Sequence, residues 1–338
     1  MHRVGDSDVI FDASTVQGDR QTMEDRWNVS LHEDGRAAVF AIFDGHGGAQ
    51  VSSYLMENLS QKILRDRELK ADPVGVLKRS FGACDDEIVT KHEESNPKRY
   101  PGPGSTAVVV LVMPPKAFVA HVGDSRAIFV NSEGQIIFQT KDQRPDCPLE
   151  HSRILKLGGT VRTVRGVVRA SGILAVSRAF GNGGIKYCIK ADPDVKEINL
   201  SDISSFVLCS DGLTDVVSST KIAELLSGTR RSLSIRSTER TDTCDGHQGR
   251  KNTRSSKRTQ AGELKSTEVS QDLNMNLACS NVRRIANALT GLAKQRQSTD
   301  NISVVVLNVH SNREAESDGV DTHGTDGVDT HRTSTEYD

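Results

Sequence analysis

A chain of 338 residues is long enough for one large or two ordinary domains with a substantial core. Its 43 Lys+Arg against 45 Asp+Glu leave a net charge of -2, so no global field marks it as a nucleic-acid or membrane binder. The first residues carry neither a leader-type apolar core nor a glycine at position 2, and no apolar run approaches the ~20 residues of a membrane span. A soluble, intracellular protein is expected. Six cysteines (Cys84, Cys147, Cys188, Cys209, Cys244, Cys279) lack metal-type spacing and read as reduced thiols. The glycosylation triplets at Asn28 and Asn301 are then chance matches.

In chain order, Ala37–Phe43 reads as a buried strand, and Asp44, Gly45 and His46 follow it directly. Helical periods appear after Gly48 in "AQVSSYLMENLSQKIL" and then in "VGVLKRSFGACDDEIV". Strand-like runs follow at Thr106–Val112, Ala117–Val122 and Ala127–Val130, then a helix in "PLEHSRILKLGG". A strand at Phe206–Cys209 leads to helical "TDVVSSTKIAELL"; further on, helical "NVRRIANALTGLAKQ" precedes a strand at Ile302–Val309. Strands run consecutively through short turns while helices come in separate blocks, so an α+β fold built on antiparallel sheet is predicted over a parallel βαβ array.

Two segments break the pattern. Residues 228–260 hold nine Lys/Arg against three Asp/Glu and almost no large apolar side chains, a composition that cannot offset the entropy of folding. They are expected to be a disordered basic insertion that fades to about Ala278 and interrupts one domain rather than separating two. From Ser311 the tail repeats "DGVDTH", carries eight acidic and two basic residues, and is also expected to be disordered.

Acidic residues recur beside turn residues and strand ends: Glu24 and Asp25 in "RQTMED", Asp44 in "FDGHGG", Asp124 in "VGDSR", Asp211 and Asp215 in "VLCSDGLTD", Asp300 in "STDNISVVV". A carboxylate buried beside an apolar run costs several kcal/mol unless it is paired or binds a cation. Gathered at one sheet edge, such groups form an oxygen-donor site that selects Mg²⁺ or Mn²⁺. Gly45 and Gly212 let backbone and ligand approach closely. Taken singly, each acid is equally a turn or cap residue, and that reading stays open for Asp215.

The ordered set "GDRQTMED", "AIFDGHGG", "GSTAVVVLV", "HVGDSRAIFV", "GILAVSRAFGN", "FVLCSDGLTDVV" and "STDNISVVVL" resembles the metal-dependent protein phosphatases of the type 2C family, in the family's order and across roughly residues 14–309. The resemblance implies two antiparallel sheets in a central β-sandwich flanked by pairs of α-helices, a four-layer αββα fold. It implies a catalytic domain over 1–310, interrupted at 228–278, with the acidic tail at 311–338. Matched residue by residue, Asp44 bridges two core metal ions, Glu24 and the Gly45 carbonyl serve one, and Asp211 and Asp300 the other. Asp25 holds metal-bound water. Asp124, with Asp211 and Asp215, holds a weaker third ion. Arg20 grips the substrate phosphate as a bidentate fork, and His46 is the general acid for the leaving oxygen. The implied activity is hydrolysis of phosphoserine and phosphothreonine in proteins by a metal-activated water, without a phosphoenzyme. The alternative is a catalytically silent phosphoprotein-binding pseudophosphatase on the same fold. Ser105 and Thr106 fit a supporting role beneath the site. Departures from the family's pattern are Thr214 for a large apolar residue, Gln143 and Arg144 for His-Lys, and Asn182 for Asp.

Other chemistries fit less well. "CPLEHSR" is a Cys-x5-Arg match from Cys147 to Arg153, but a phosphate loop needs backbone amides, and here Pro148 removes one while Glu150 adds a repelling charge. The basic insertion lacks aromatic residues for base stacking, so no specific nucleic-acid partner is expected; it reads as a solvated linker or a localisation signal, with a cytoplasmic or nuclear location. "GPGS" at Gly102 is no P-loop, since no Gly-Lys-Ser/Thr follows. Phosphorylated proteins are the expected partners, and a monomer the expected state.

Overall fold

In the computed structural model, which describes residues 2–5, 7–95, 100–227 and 261–311, the apolar runs pair into two antiparallel sheets lying face to face. The elements are β1 (His2–Val4), β2 (Ser7–Val16), β3 (Arg26–Leu31), β4 (Ala38–Phe43), β5 (Gly45–His46), α1 (Gln50–Leu64), α2 (Pro73–Ser95), β6 (Gly104–Ser105), β7 (Ala107–Met113), β8 (Lys116–Val122), β9 (Arg126–Val130) and β10 (Ile136–Gln139). There follow α3 (Pro148–Lys156), β11 (Val161–Val164), β12 (Val167–Ala170), β13 (Phe180–Gly181), β14 (Asp194–Asn199), β15 (Ser205–Cys209), the single turn α4 (Asp211–Thr214), α5 (219–227), α6 (Ala261–Gln295) and β16 (Ile302–Ser311).

One sheet is ordered β1-β2-β16-β15-β9-β10 and the other β14-β8-β7-β4-β3. Side chains alternate across a strand, and on β4 both faces are buried. Ala38, Phe40 and Ile42 join the inter-sheet core with Phe206, Val305 and Leu307, while Val39, Ala41 and Phe43 pack with Leu55 and Leu59 of α1 and Leu77 and Phe81 of α2. That two-sided burial explains why the strand reads as an unbroken apolar run. On the far sheet, Val207, Val304 and Val306 pack with Ile222 of α5 and Val282, Ile285 and Leu289 of α6. The result is the four-layer αββα arrangement the sequence implied. Between the sheets, Phe206 stacks on Phe129 at 4.7 Å between ring centroids and meets Phe40 edge-on at 6.3 Å. Each such buried ring contributes about 1.5–3 kcal/mol through lost water contact.

Three elements differ from expectation. The run "TDVVSSTKIAELL" is not one helix: α4 stops at Thr214 and α5 begins at residue 219, because Val216, Val217 and two serines disfavour helix and Ser218 Oγ instead accepts the Lys221 amide as a new cap, at 3.3 Å. The last helix, expected from about Asn281, extends back to Ala261 over a stretch free of proline and glycine from Glu263 to Ser280. Residues 261–278 therefore belong to α6 rather than to an insertion. The remainder of the expected insertion, 228–260, and the tail beyond Ser311 lie outside the described residues. A smaller core of Ile154, Leu174, Ile185 and Ile189 holds α3, the β11–β12 hairpin and the loop after it beside the sandwich.

Candidate functional site

Strand β4 ends at Phe43 and delivers Asp44 to one end of the sandwich. The Asp44 carbonyl accepts the Thr106 amide at 2.9 Å and Ser105 Oγ at 3.1 Å, and Thr106 Oγ1 meets Ser125 Oγ at 2.6 Å beneath. The supporting role expected of Ser105 and Thr106 is thus visible as geometry. At Gly45 a Cβ would stand 2.6 Å from the Glu24 carbonyl oxygen, and at Gly212 only 2.0 Å from that of Asn301, so neither position admits a side chain.

Arg20, Glu24, Asp44, Gly45, His46, Asp124, Asp211 and Asp300 line one open cleft of about 540 Å³. Asp25 lies buried beneath it, with Oδ2 accepting Ser210 Oγ at 2.8 Å and Oδ1 without a hydrogen-bond partner among the described residues. Asp215 stays exposed at the rim. A larger hollow of about 860 Å³ at the opposite end of β4 brings none of these residues together.

The carboxylates crowd one another. Loss of solvent, then repulsion from Asp211, Asp25 and Asp124, pushes the Asp44 carboxyl well above its ordinary value. Desolvation followed by the charges of Asp215 and Asp300 brings Asp211 to about 6, and desolvation with the charge of Asp211 brings Asp124 to about 8 against the pull of Arg144. Asp25 is raised to about 6 by burial, opposed by the bond from Ser210. Two cations answer them: Arg20, whose Nη2 is 2.6 Å from Asp300 Oδ2, and Arg144 on Asp124 and Asp215. Among the described residues no three acidic, histidine or cysteine side chains are drawn into a ready-made coordination cage. The donor set nevertheless fits a hard divalent cation: oxygen donors only, excess negative charge, and an orphaned buried oxygen on Asp25.

His46 stands at the cleft wall with Nε2 2.9 Å from Asn182 Oδ1. The Asn182 amide is oriented by its Nδ2, which donates to the Gly102 carbonyl at 3.0 Å, so Oδ1 faces the imidazole as an acceptor. Gly104 leaves the necessary room, since a Cβ there would fall 2.4 Å from His46 Nε2. Burial holds the imidazole below its usual value. Two of the chain's other departures, Gln143 and Thr214, turn polar atoms inward. Gln143 is buried, accepts the Gly123 amide at 2.8 Å and so braces the turn that presents Asp124. The Thr214 hydroxyl is buried without a partner among the described residues.

Sequence reasoning missed Asn301 as a brace. Its Oδ1 accepts the Glu24 amide at 2.7 Å and its Nδ2 donates to the carbonyls of Gln17 and Thr22, tying the 17–24 loop to the start of β16. It also missed the wall formed by Arg169, Leu174, Ala175 and Val176. The Cys147–Arg153 motif lies outside the cleft. Arg153 is committed to Glu150 at 2.8 Å and to the carbonyls of Ser177 and Cys188, which leaves no guanidinium for a phosphate loop at Cys147.

A helix-flanked sandwich of antiparallel sheets is a fold shared with solved structures. A crystal structure of a phosphatase from Toxoplasma gondii superposes with a TM-score of 0.64 over 90% of this chain and 96% of its own, at 21% identity. A C. elegans sex determining protein superposes with 0.66 over 89% and 64%, at 20% identity. The chain belongs to the protein phosphatase 2C family, whose family model matches residues 10–253. It is 37% identical over 215 residues to a probable protein phosphatase 2C member 13, mitochondrial, from Oryza sativa subsp. japonica, covering 63% of this chain and 58% of the relative. To a probable protein phosphatase 2C 59 from Arabidopsis thaliana it is 35% identical over 204 residues, covering 60% and 64%. The chain thus spans less than two thirds of either relative's length. Among the described residues no helix is long and apolar enough to cross a membrane.

Proposed function

We propose that the cleft hydrolyses phosphoserine and phosphothreonine in proteins with the help of two divalent cations, Mg²⁺ or Mn²⁺. The observation that carries this is the crowding of Asp44, Asp124 and Asp211, raised by desolvation and mutual repulsion in one cleft. Asp44, Glu24 and the Gly45 carbonyl, with Asp211 and Asp300, would hold the two ions. Bound there, the ions supply Lewis acidity and lower the pKa of water.

The chain's own residues do the rest. Asp25, anchored by Ser210, offers its second oxygen to a water. Arg20 is largely exposed and rests on Asp300 at the cleft, where its guanidinium would take two phosphate oxygens as a fork. His46, oriented through Nε2 by Asn182, would in its imidazolium form give the proton on its other ring nitrogen to the departing seryl or threonyl oxygen and stay as neutral imidazole. No side chain need become phosphorylated.

The deciding experiment measures hydrolysis of a phosphothreonine peptide with Mn²⁺, with Mg²⁺ and with excess chelator. Turnover that requires metal is expected; full activity in chelator would sink the proposal. Phosphopeptide binding without turnover at saturating metal would favour a silent binding protein on the same fold.

A further inference from the structure

The family resemblance implies a weaker third cation on Asp124, Asp211 and Asp215, and the structure disagrees with it. Arg144, in the loop between β10 and α3, fills that place. Its Nε is 3.1 Å from Asp124 Oδ2 and its Nη2 is 2.9 Å from Asp215 Oδ1. Asp124 is 4% exposed, so its carboxylate cannot be answered by bulk water and needs a fixed cation. The other nearby acid, Asp142, lies 3.6 Å from Arg144 Nε but makes its short contacts with Arg126, at 2.8 Å to each oxygen, which leaves Arg144 for Asp124 and Asp215.

Arginine matters here for its shape. A guanidinium presents donors in a rigid fork, so one side chain reaches two carboxylates at once, whereas an ammonium is a single point charge on a flexible stem. Gln143 adds stiffness from the preceding position: it is 3% exposed and bonded to the Gly123 amide and to Asp194 Oδ2, at 2.8 and 2.9 Å. The loop therefore holds Arg144 beside the very turn that carries Asp124.

We propose that Arg144 is a tethered substitute for the third cation, so that this protein takes up two divalent ions and its Asp124–Asp215 pair takes up none. The inference rests on the two-ion reading of the cleft. A tethered group competes at an effective concentration in the millimolar range or above, and an incoming ion must displace a guanidinium already bonded to both acids.

The test counts ions without reference to activity. Mn²⁺ alone is titrated into the full chain, and free Mn²⁺ is followed by electron paramagnetic resonance. The parent should bind two ions, and Arg144→Ala should bind a third that the parent does not take up over the same range of Mn²⁺. Adding Asp215→Asn to Arg144→Ala should abolish the third ion. Arg144→Met, which keeps the apolar stem, repeats the measurement if the alanine variant does not fold, with thermal melting as the check. Three ions on the parent, or no third ion on either folded variant, would overturn the proposal while leaving the two-ion reading intact. A parent that binds no Mn²⁺ would overturn both.

Discussion

Asp44 is an expensive residue to hold in place: desolvation and three neighbouring carboxylates oppose its charge. Such a group is kept for chemistry rather than for stability, and the two are separable. Asp44→Asn should lower turnover by more than ~100-fold in saturating Mn²⁺, since a lost ligand removes both nucleophile activation and charge stabilisation. The same change should leave the metal-free protein's melting temperature equal or higher, because it removes a repelling charge. Melting in chelator, set beside the kinetics, checks both halves, and a large fall in melting temperature would argue for a structural role. His46 calls for a different signature. His46→Gln should slow phosphothreonine hydrolysis by about 10²- to 10⁴-fold yet spare aryl phosphates, whose acidic leaving groups need little protonation. Equal losses on both substrates would count against His46 as the acid.

Secondary elements were legible where both faces are buried. β4, β7, β8, β15 and β16 read as strands because their sequences are almost wholly apolar, each face meeting the inter-sheet core or a helix layer. β2 and β14 did not, since "SDVIFDASTV" and "DVKEIN" mix acids and small polar residues with the apolar ones, and the arginines of β11 and β12 hid that hairpin. At the site, the acids could be found from their neighbours in sequence. Their partners could not: Asn182 meets His46 across 136 positions and Arg144 meets Asp215 across 71. In the α3 region the Cys-x5-Arg spacing, already weakened in sequence by Pro148 and Glu150, is settled by packing, which commits Arg153 to Glu150 and two carbonyls. Cys147→Ser should keep activity within about twofold, well below the tenfold that 1.4 kcal/mol represents. Glu150→Ala should behave oppositely. Burial alone would raise this carboxyl, but Arg178, Arg153 and Ser177 hold it down at about 2. Removing one partner of so buried a cluster costs about 3–5 kcal/mol, and urea unfolding measures it; a loss under 1 kcal/mol would refute the role.

Across the whole molecule, the crowded acids make stability depend on pH in an unusual direction. A carboxyl whose folded value exceeds its unfolded one favours the folded state at low pH, and that advantage is lost as pH rises through the folded value. Asp25 and Asp211 at about 6 and Asp124 at about 8, against an ordinary 3.8, place the loss between about pH 4 and 8. In chelator the melting temperature should therefore fall over that window, and saturating Mn²⁺ should flatten the fall by neutralising the same groups. An identical slope with and without metal would contradict the assignment. The site also joins distant parts of the chain: Arg20 meets Asp300 across 280 positions and Glu24 meets Asn301 across 277, while β2 takes β16 as its long partner. During synthesis at about 5–20 residues per second, roughly 14–56 s separate the first of these residues from the last. Until β16 emerges from the ribosome, Glu24 and Asp25 have no floor to stand on. A nascent chain halted between Asp215 and Asp300 consequently carries all the acids but one yet no cleft, and only a translated and closed β2–β16 pair brings them to one place.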